Sequence, residues 1–233
     1  MDLLNFLYPR RCPICHGILR NSKWTVCPDC VPKLRPIREP RCQSCGKALR
    51  DQEQELCADC AKGSHLFDRG LGIFPYNRLA HASVMKYKNG GRQEYERFYI
   101  QAASLYGAAW VRRFRPQVLV PIPMREVDRR KRGFCPSVNL ARGLGQAWGI
   151  PVEERLLYKV KKTKAQKGLE AAKRRENVRG AYAGAPGIWP YRRILLIDDV
   201  YTTGSTIDAA AQAAAAHGVE EIYFLTVFIG DGY

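Results

Sequence analysis

No apolar run in this chain approaches the ~20 residues that a membrane-spanning helix needs. Residues 1–8 have some apolar character, but neither a basic head nor a long apolar core. No secretory signal is therefore expected, and the protein is read as cytoplasmic, without membrane insertion. Acidic residues are the second shortage: 22 Asp and Glu stand against 38 Lys and Arg, a net charge of +16. The imbalance is regional. Residues 125–179 carry 16 basic against 6 acidic side chains, whereas residues 180–233 carry 2 against 6. So dense a surplus exceeds what solubility asks of a surface and attracts pyrophosphate, nucleic acid or both. A hydrophobic content of 46% with 10% aromatics excludes a disordered chain, and 233 residues hold one core of ordinary size plus a small module.

Cysteine outside a regular frame is nearly missing as well. Eight of the nine fall at Cys12, Cys15, Cys27, Cys30, Cys42, Cys45, Cys57 and Cys60, as four C-x2-C pairs separated by eleven residues each. The segment is a duplication with a thirty-residue period. Four equally spaced pairs do not look like one redox-active dithiol, and disulfides do not suit a cytosolic chain. A C-x2-C turn sets two thiolates on one side of a metal and a second pair completes the tetrahedron, so two structural four-cysteine zinc ribbons are expected. Sequential pairing is the simplest: Cys12, Cys15, Cys27 and Cys30 at one site, Cys42, Cys45, Cys57 and Cys60 at the other. The spacing leaves an exchange of pairs open. Gly17 and Gly46 follow two of the pairs, where a turn demands freedom. The composition changes after Gly63, so residues 1–64 are read as the ribbon module and residues 65–233 as the main domain.

Residues 194–206, I-L-L-I-D-D-V-Y-T-T-G-S-T, organise that domain. Four aliphatic residues predict a buried parallel strand, with Asp198 and Asp199 where it runs out. A polar turn around Gly204 follows, then an Ala-rich helix over residues 207–216 stopping near Gly218. Strand, turn and helix aim free N–H groups and the helix dipole at a phosphate, with the hydroxyls of Thr202, Thr203, Ser205 and Thr206 beside them. The carboxylates repel a phosphate but suit a neutral diol, so one loop describes a ribose-5-phosphate pocket. The bland alternative is an ordinary βα unit with an acidic turn.

Upstream, residues 71–76 predict a strand, residues 79–88 a helix and residues 93–113 a longer one, with Phe98, Ala102, Leu105 and Ala109 at helical spacing. Tyr95, Phe98, Tyr99 and Tyr106 read as core, and His81 as a surface or packing residue. Residues 118–120 predict a second buried strand, ending in Pro121, Ile122, Pro123, Met124 and Arg125; strand ends of a parallel sheet gather where ligands bind. Arg129, Arg130, Lys131 and Arg132 follow, then a helix over residues 137–148. Residues 158–179 are basic and weakly patterned, which predicts a loop and a helix near residues 170–176. Residues 181–190 read as a Gly/Pro-rich connection.

The Asp-Asp loop resembles the phosphoribosyl-pyrophosphate (PRPP) loop of type I phosphoribosyltransferases. P-I-P-M, R-R-K-R-G-F, T-K-A-Q-K-G-L, R-R-E-N-V-R-G-A-Y and D-D-V-Y-T-T-G-S-T occur in the order seen in the ComF family, behind a cysteine duplication similar to that family's double zinc ribbon. The resemblance implies an α/β fold, a type I phosphoribosyltransferase-like parallel sheet flanked by helices. It implies that Asp198 and Asp199 hold the ribose hydroxyls and that Thr202, Thr203, Gly204, Ser205 and Thr206 cradle the 5-phosphate. Residues 121–125 would face the pyrophosphate, and Lys161, Lys162, Lys164 and Gln166 would lie on a hood above it. Magnesium would accompany PRPP. ComF relatives are associated with DNA uptake, and some bind single-stranded DNA; Arg129, Arg130, Lys131 and Arg132, with the segment 161–175, would supply the track, and Phe134, Trp148 or Tyr158 the stacking. A PRPP-dependent transferase of nucleotide salvage and a zinc-ribbon adaptor for a helicase-type partner are the other readings. This chain departs from the family in having Cys135 and Pro136 where Asn and Gln commonly follow R-G-F, and Tyr201 where the superfamily often has an aliphatic residue.

Overall fold

The computed structural model describes residues 9–63, 65–160 and 180–231. Its frame is the chain order β1 (Arg69–Pro75), α1 (Arg78–Asn89), α2 (Glu96–Phe114), β2 (Val118–Pro121), α3 (Glu126–Arg132), α4 (Pro136–Trp148), β3 (Leu157–Lys159), β4 (Tyr182–Gly184), β5 (Arg193–Tyr201), α5 (Ser205–Ala215) and β6 (Glu221–Ile229). Four strands form one parallel sheet in the order β1-β6-β5-β2, and β3 pairs antiparallel with β4 beside it. Local chemistry sets the helix ends. The Asn77 side chain accepts a hydrogen bond from the Ala80 N–H at 3.1 Å to start α1, Pro136 opens α4, and Gly149 in the left-handed region closes it. Among the described residues no helix is long and apolar enough to cross a membrane.

Alternation along β5 divides the core between the two faces of the sheet. Leu195 and Ile197 join the cluster that contains Tyr87, Phe98 and Leu144 from α1, α2 and α4, together with Cys12, Val26 and Cys30 of the first ribbon. Ile194 and Leu196 join the opposite cluster, with Ile207, Ala210 and Ala214 of α5 and all four cysteines of the second ribbon. The two copies of the duplicated module thus pack into different halves of the core. The second ribbon lies close enough to β1 that the Gly70 N–H donates to Ser44 O at 2.7 Å, and a Cβ at Gly46 would fall 2.4 Å from Gly70 O.

Several expectations need correction. The strand β5 does not run out at the acidic pair: Asp198 pairs with Thr226, Val200 with Phe228 and Tyr201 with Ile229, because β6 extends alongside it. That terminal strand β6, and the short β3 and β4, fall where no strand was expected. In α2 the buried stripe runs through Phe98, Tyr99, Ala102, Ala103, Gly107 and Val111, while Leu105 is 69% and Tyr106 47% exposed. Leu105, Ala109 and Tyr106 therefore lie off the core, since a 3.6-residue period from Phe98 and Tyr99 leads to Gly107 and Val111. The residue that turns in the first ribbon is His16, with φ of 63°, not Gly17; it corresponds to Gly46, with φ of 76°, and its Nδ1 lies 2.9 Å from the Tyr95 hydroxyl. The expected helix near residues 170–176 lies outside the described residues.

Candidate functional site

A cleft of about 340 Å³ opens at the carboxyl ends of the parallel strands. Its floor is the strand-turn-helix unit. Gly204 sits at φ of 81° and caps α5, where a Cβ would meet the Tyr201 hydroxyl at 2.5 Å. The first helical bond runs from the Asp208 N–H to Gly204 O. The preceding N–H groups of α5 therefore have no acceptor within the helix and bear the positive end of its dipole, the arrangement that holds a phosphate. The hydroxyls of Thr203 and Ser205 lie 3.0 Å apart, and Thr202, Thr203, Gly204, Ser205 and Thr206 all line the cleft.

Asp198 and Asp199 face the same space. Burial first, and the neighbouring Asp199 charge second, raise the Asp198 pKa to about 8. Asp199 is 4% exposed, and its Oδ1 accepts a hydrogen bond from Lys88 Nζ at 2.9 Å while Oδ2 lies 2.6 Å from the same ammonium. Lys88, at the end of α1, had no signal in the sequence: it belongs to an unremarkable Y-K-N-G-G turn 110 residues from the motif it completes. Lys159 from β3 and Arg132 from α3 add two further cations to the lining, and Tyr76 and Tyr182 add aromatic walls. Burial lowers the Lys159 pKa.

The remaining sequence candidates divide. Ile122, Pro123 and Met124 line the cleft, whereas Pro121 is buried within β2 and Arg125 turns away to Asp128, 2.8 Å distant. Of the basic quartet, Arg132 reaches the cleft, Arg129 and Arg130 pair with Glu126 at 2.8 and 3.2 Å, and Lys131 is exposed. Those ion pairs reduce the positive field that the bare composition suggests. Lys161, Lys162, Lys164 and Gln166 lie outside the described residues. Cys135, 6% exposed, lines the cleft with its Sγ 3.2 Å from Ser137 Oγ. Among the stacking candidates, Phe134 packs on Tyr87 at 5.0 Å and the Trp148 Nε1–H donates to Ser104 O at 3.3 Å, while Tyr158 is 46% exposed.

The cysteines form two clusters with the sequential pairing, each with all sulfurs within 4.8 Å of one another. Tetrahedral ligands at Zn–S ≈ 2.3 Å lie about 3.8 Å apart, and the Sγ–Sγ separations of 3.7 Å for Cys15 and Cys27 and 3.6 Å for Cys45 and Cys57 fit that edge. Both sites suit structural zinc. They differ in shelter: Cys15 is exposed and Cys27 half-buried, whereas Cys42, Cys45, Cys57 and Cys60 are all buried. Four thiolates on zinc leave a charge of about −2. In the second site Lys47, 3% exposed, sits near it, 2.7 Å from Asp59 and 5.8 Å above the Tyr201 ring; the first copy has Gly17 there. A chelator is therefore expected to withdraw zinc in two equal phases, read with a colorimetric indicator. The second phase should be slower by about tenfold or more, since an extra opening step of ~1.4 kcal/mol gives that factor. Equal rates would contradict the difference in burial.

The second ribbon also backs the turn over residues 202–204, with Lys47 over the Tyr201 ring. The Tyr201 ring stacks on Phe224 at 4.6 Å, and Phe67 meets it edge-on at 6.2 Å. His65, stacked on Phe67, holds the Asp208 carboxylate at 2.9 Å, and the Leu66 N–H donates to the same group at 3.2 Å. Asp208 thus ties the chain just after the ribbon to the first turn of α5.

Residues 3–61 match the double zinc ribbon domain family. Competence protein F of Haemophilus influenzae is 36% identical over 109 residues, which is 46% of this chain and 48% of that protein. DNA utilization protein YhgH of Salmonella typhi is 27% identical over 107 residues, 46% of this chain and 47% of its own. The chain thus matches about half the length of these curated relatives. A purine phosphoribosyltransferase from Pyrococcus horikoshii superposes over 55% of this chain and 70% of its own at 20% identity, with a TM-score of 0.31, too low to argue from. Residues 3–61 are thus similar to a double zinc ribbon, in agreement with the two cysteine clusters, and they stand in front of an α/β domain built on a parallel sheet.

Proposed function

We propose that this chain binds PRPP with magnesium in the cleft at the strand ends and acts in DNA uptake, with single-stranded DNA bound on its basic middle segment. One observation carries the first half: the cleft combines a helix N-terminus rich in hydroxyls, two carboxyl groups fitted to a diol, and the cations Lys159 and Arg132. A 5-phosphate, a ribose ring and a pyrophosphate need those three chemistries in one space. Magnesium would bridge pyrophosphate oxygens, and Asp198 and Asp199 would accept from the ribose hydroxyls. In transfer to an acceptor, pyrophosphate leaves the anomeric carbon as positive charge grows on the ring, and nearby cations neutralise the leaving group. The DNA role is supported by the names of the two relatives and by the surplus of basic residues over 125–179.

Calorimetric titration of the wild type with PRPP, with and without magnesium, tests the pocket. Binding that requires magnesium is the expected result, and no binding in either condition would end the phosphoribosyl reading. In parallel, affinity for a single-stranded oligonucleotide should fall linearly on logarithmic axes as salt is raised, with a slope of about −0.7 per phosphate neutralised. A salt-independent affinity would remove the basic track.

A further inference from the structure

The contact between Lys88 and Asp199 has a consequence for what the cleft selects. Asp199 is nearly sealed from water, and a buried carboxylate persists as an anion only with a counter-charge. The strand-turn-helix motif supplies none: its side chains at the cleft are carboxylates and hydroxyls. The counter-charge comes from α1, whose last turn carries Lys88 to both oxygens of Asp199. Around the pair stand Asp198 on β5, Tyr76 after β1, Tyr87 on α1, Tyr99 on α2 and Arg132 on α3. Lys88 is a quarter exposed and lines the cleft beside the carboxylate it holds.

We propose that Lys88 is the positioning residue of the diol site: by donating to Asp199 Oδ1 with its ammonium against Oδ2, which has no hydrogen-bond partner among the described residues, it fixes an anionic acceptor for vicinal hydroxyls and makes the cleft prefer ribosyl over 2-deoxyribosyl phosphates. The proposal rests on the phosphoribosyl reading above. A lysine tethered to a carboxylate at 2.6–2.9 Å leaves the carboxylate little rotational freedom, and an acceptor held before the ligand arrives spends no binding energy on being ordered. Hydroxyls that donate to an ionised group gain about 1.5–3 kcal/mol each, against about half that for a neutral acceptor. Without Lys88, Asp199 loses the ammonium that holds it at 2.6–2.9 Å and offers the diol a weaker, mobile partner.

The test measures affinities of ribose 5-phosphate, 2-deoxyribose 5-phosphate and inorganic phosphate for the zinc-loaded protein, its Lys88→Met variant and its Lys88→Arg variant, with zinc content and circular dichroism confirming the fold. The wild type is expected to prefer ribose 5-phosphate to the 2-deoxy sugar by about tenfold, the yield of one charge-assisted hydrogen bond. Lys88→Met should bring that ratio down to about threefold or less while inorganic phosphate binds as before. Lys88→Arg, which can fork onto both oxygens, should restore most of the ratio. A ratio unchanged in Lys88→Met would overturn the proposal, as would equal weakening of all three ligands, which would mark Lys88 as a phosphate-gripping cation. If the wild type binds no ribose 5-phosphate at all, the phosphoribosyl reading falls and this inference with it; wild-type binding with an indifferent Lys88→Met variant sinks the inference alone.

Discussion

Replacing Cys45 by serine is expected to empty the second zinc site and to disorder the turn over residues 202–204 with it. Structural zinc on four thiolates contributes about 10–16 kcal/mol to folding, which is as large as the whole stability of an ordinary domain at about 5–15 kcal/mol. Cys45 has no measurable exposure and belongs to the core cluster that contains Tyr201, Ile207 and Ala210. When the ribbon loosens, Tyr201 loses the support of Lys47 above its ring, and the hydroxyl of that tyrosine packs directly under Gly204. The effect should therefore appear in two places at once. Zinc content falls from two to one per chain, or to none where the whole chain unfolds, and hydrogen exchange accelerates over residues 201–208. Cys15→Ser is the comparison, since Cys15 is exposed and its cluster packs on the opposite face of the sheet, away from α5. It should lose one zinc and leave exchange at residues 201–208 unchanged. Equal acceleration in both variants would mean that the duplicated ribbons stabilise the protein only globally.

The double substitution Asp198→Asn with Asp199→Asn should weaken the PRPP–magnesium affinity proposed above by about one and a half to three orders of magnitude. One charge-assisted hydrogen bond of about 1.5–3 kcal/mol at Asp199 and one neutral bond of about 0.5–1.5 kcal/mol at Asp198 give that span. The change also removes the partner of Lys88 and alters how stability depends on pH. Asp198 keeps its proton to about 8 in the folded protein, through burial and the adjacent Asp199 charge, while the unfolded chain releases it in the ordinary carboxylate range. Between those limits the folded state binds more protons than the unfolded one, so stability declines as pH rises through that window. The double amide has no such proton to retain and should melt at a temperature less dependent on pH across the same interval. Thermal melts of both proteins at pH 5 and pH 8 measure this. Since zinc release at low pH acts on both proteins alike, the difference between them is the readout, and the same change of melting temperature in both over that interval would contradict the raised Asp198 value.

Parts of this protein were legible without coordinates because they are written in local spacing. Four C-x2-C pairs at one interval name their own ligands, but the same eleven residues separate every pair from the next, and it is the folded chain that joins them sequentially. The motif around Asp198, Asp199 and Gly204 is legible for the same reason, since strand, turn and helix are contiguous and their chemistry is carried by adjacent side chains. The helices α1, α2 and α4 were visible in apolar periodicity and in stops at Gly90, Pro116 and Gly149. Their buried faces were less so: an Ala- and Tyr-rich helix such as α2 offers two overlapping stripes, and only the position of the sheet decides which is covered.

What the sequence alone determined, then, is the pair of metal sites and the bare strand-turn-helix unit. Tertiary structure decided what surrounds them. Lys88 becomes the partner of Asp199 because a parallel sheet brings α1, 111 residues away, to the same strand ends. Arg125, Arg129 and Arg130 turn into local ion pairs because α3 sets acidic residues three and four positions from them, while Arg132 alone of the basic quartet reaches the cleft. The two copies of one duplicated module acquire different environments because alternate β5 residues face opposite sides of the sheet and each ribbon joins a different half of the core. Short-range spacing encodes bonds that close within a few residues. Contacts across the sheet depend on strand order and on which face each side chain meets, and those are properties of the folded chain as a whole.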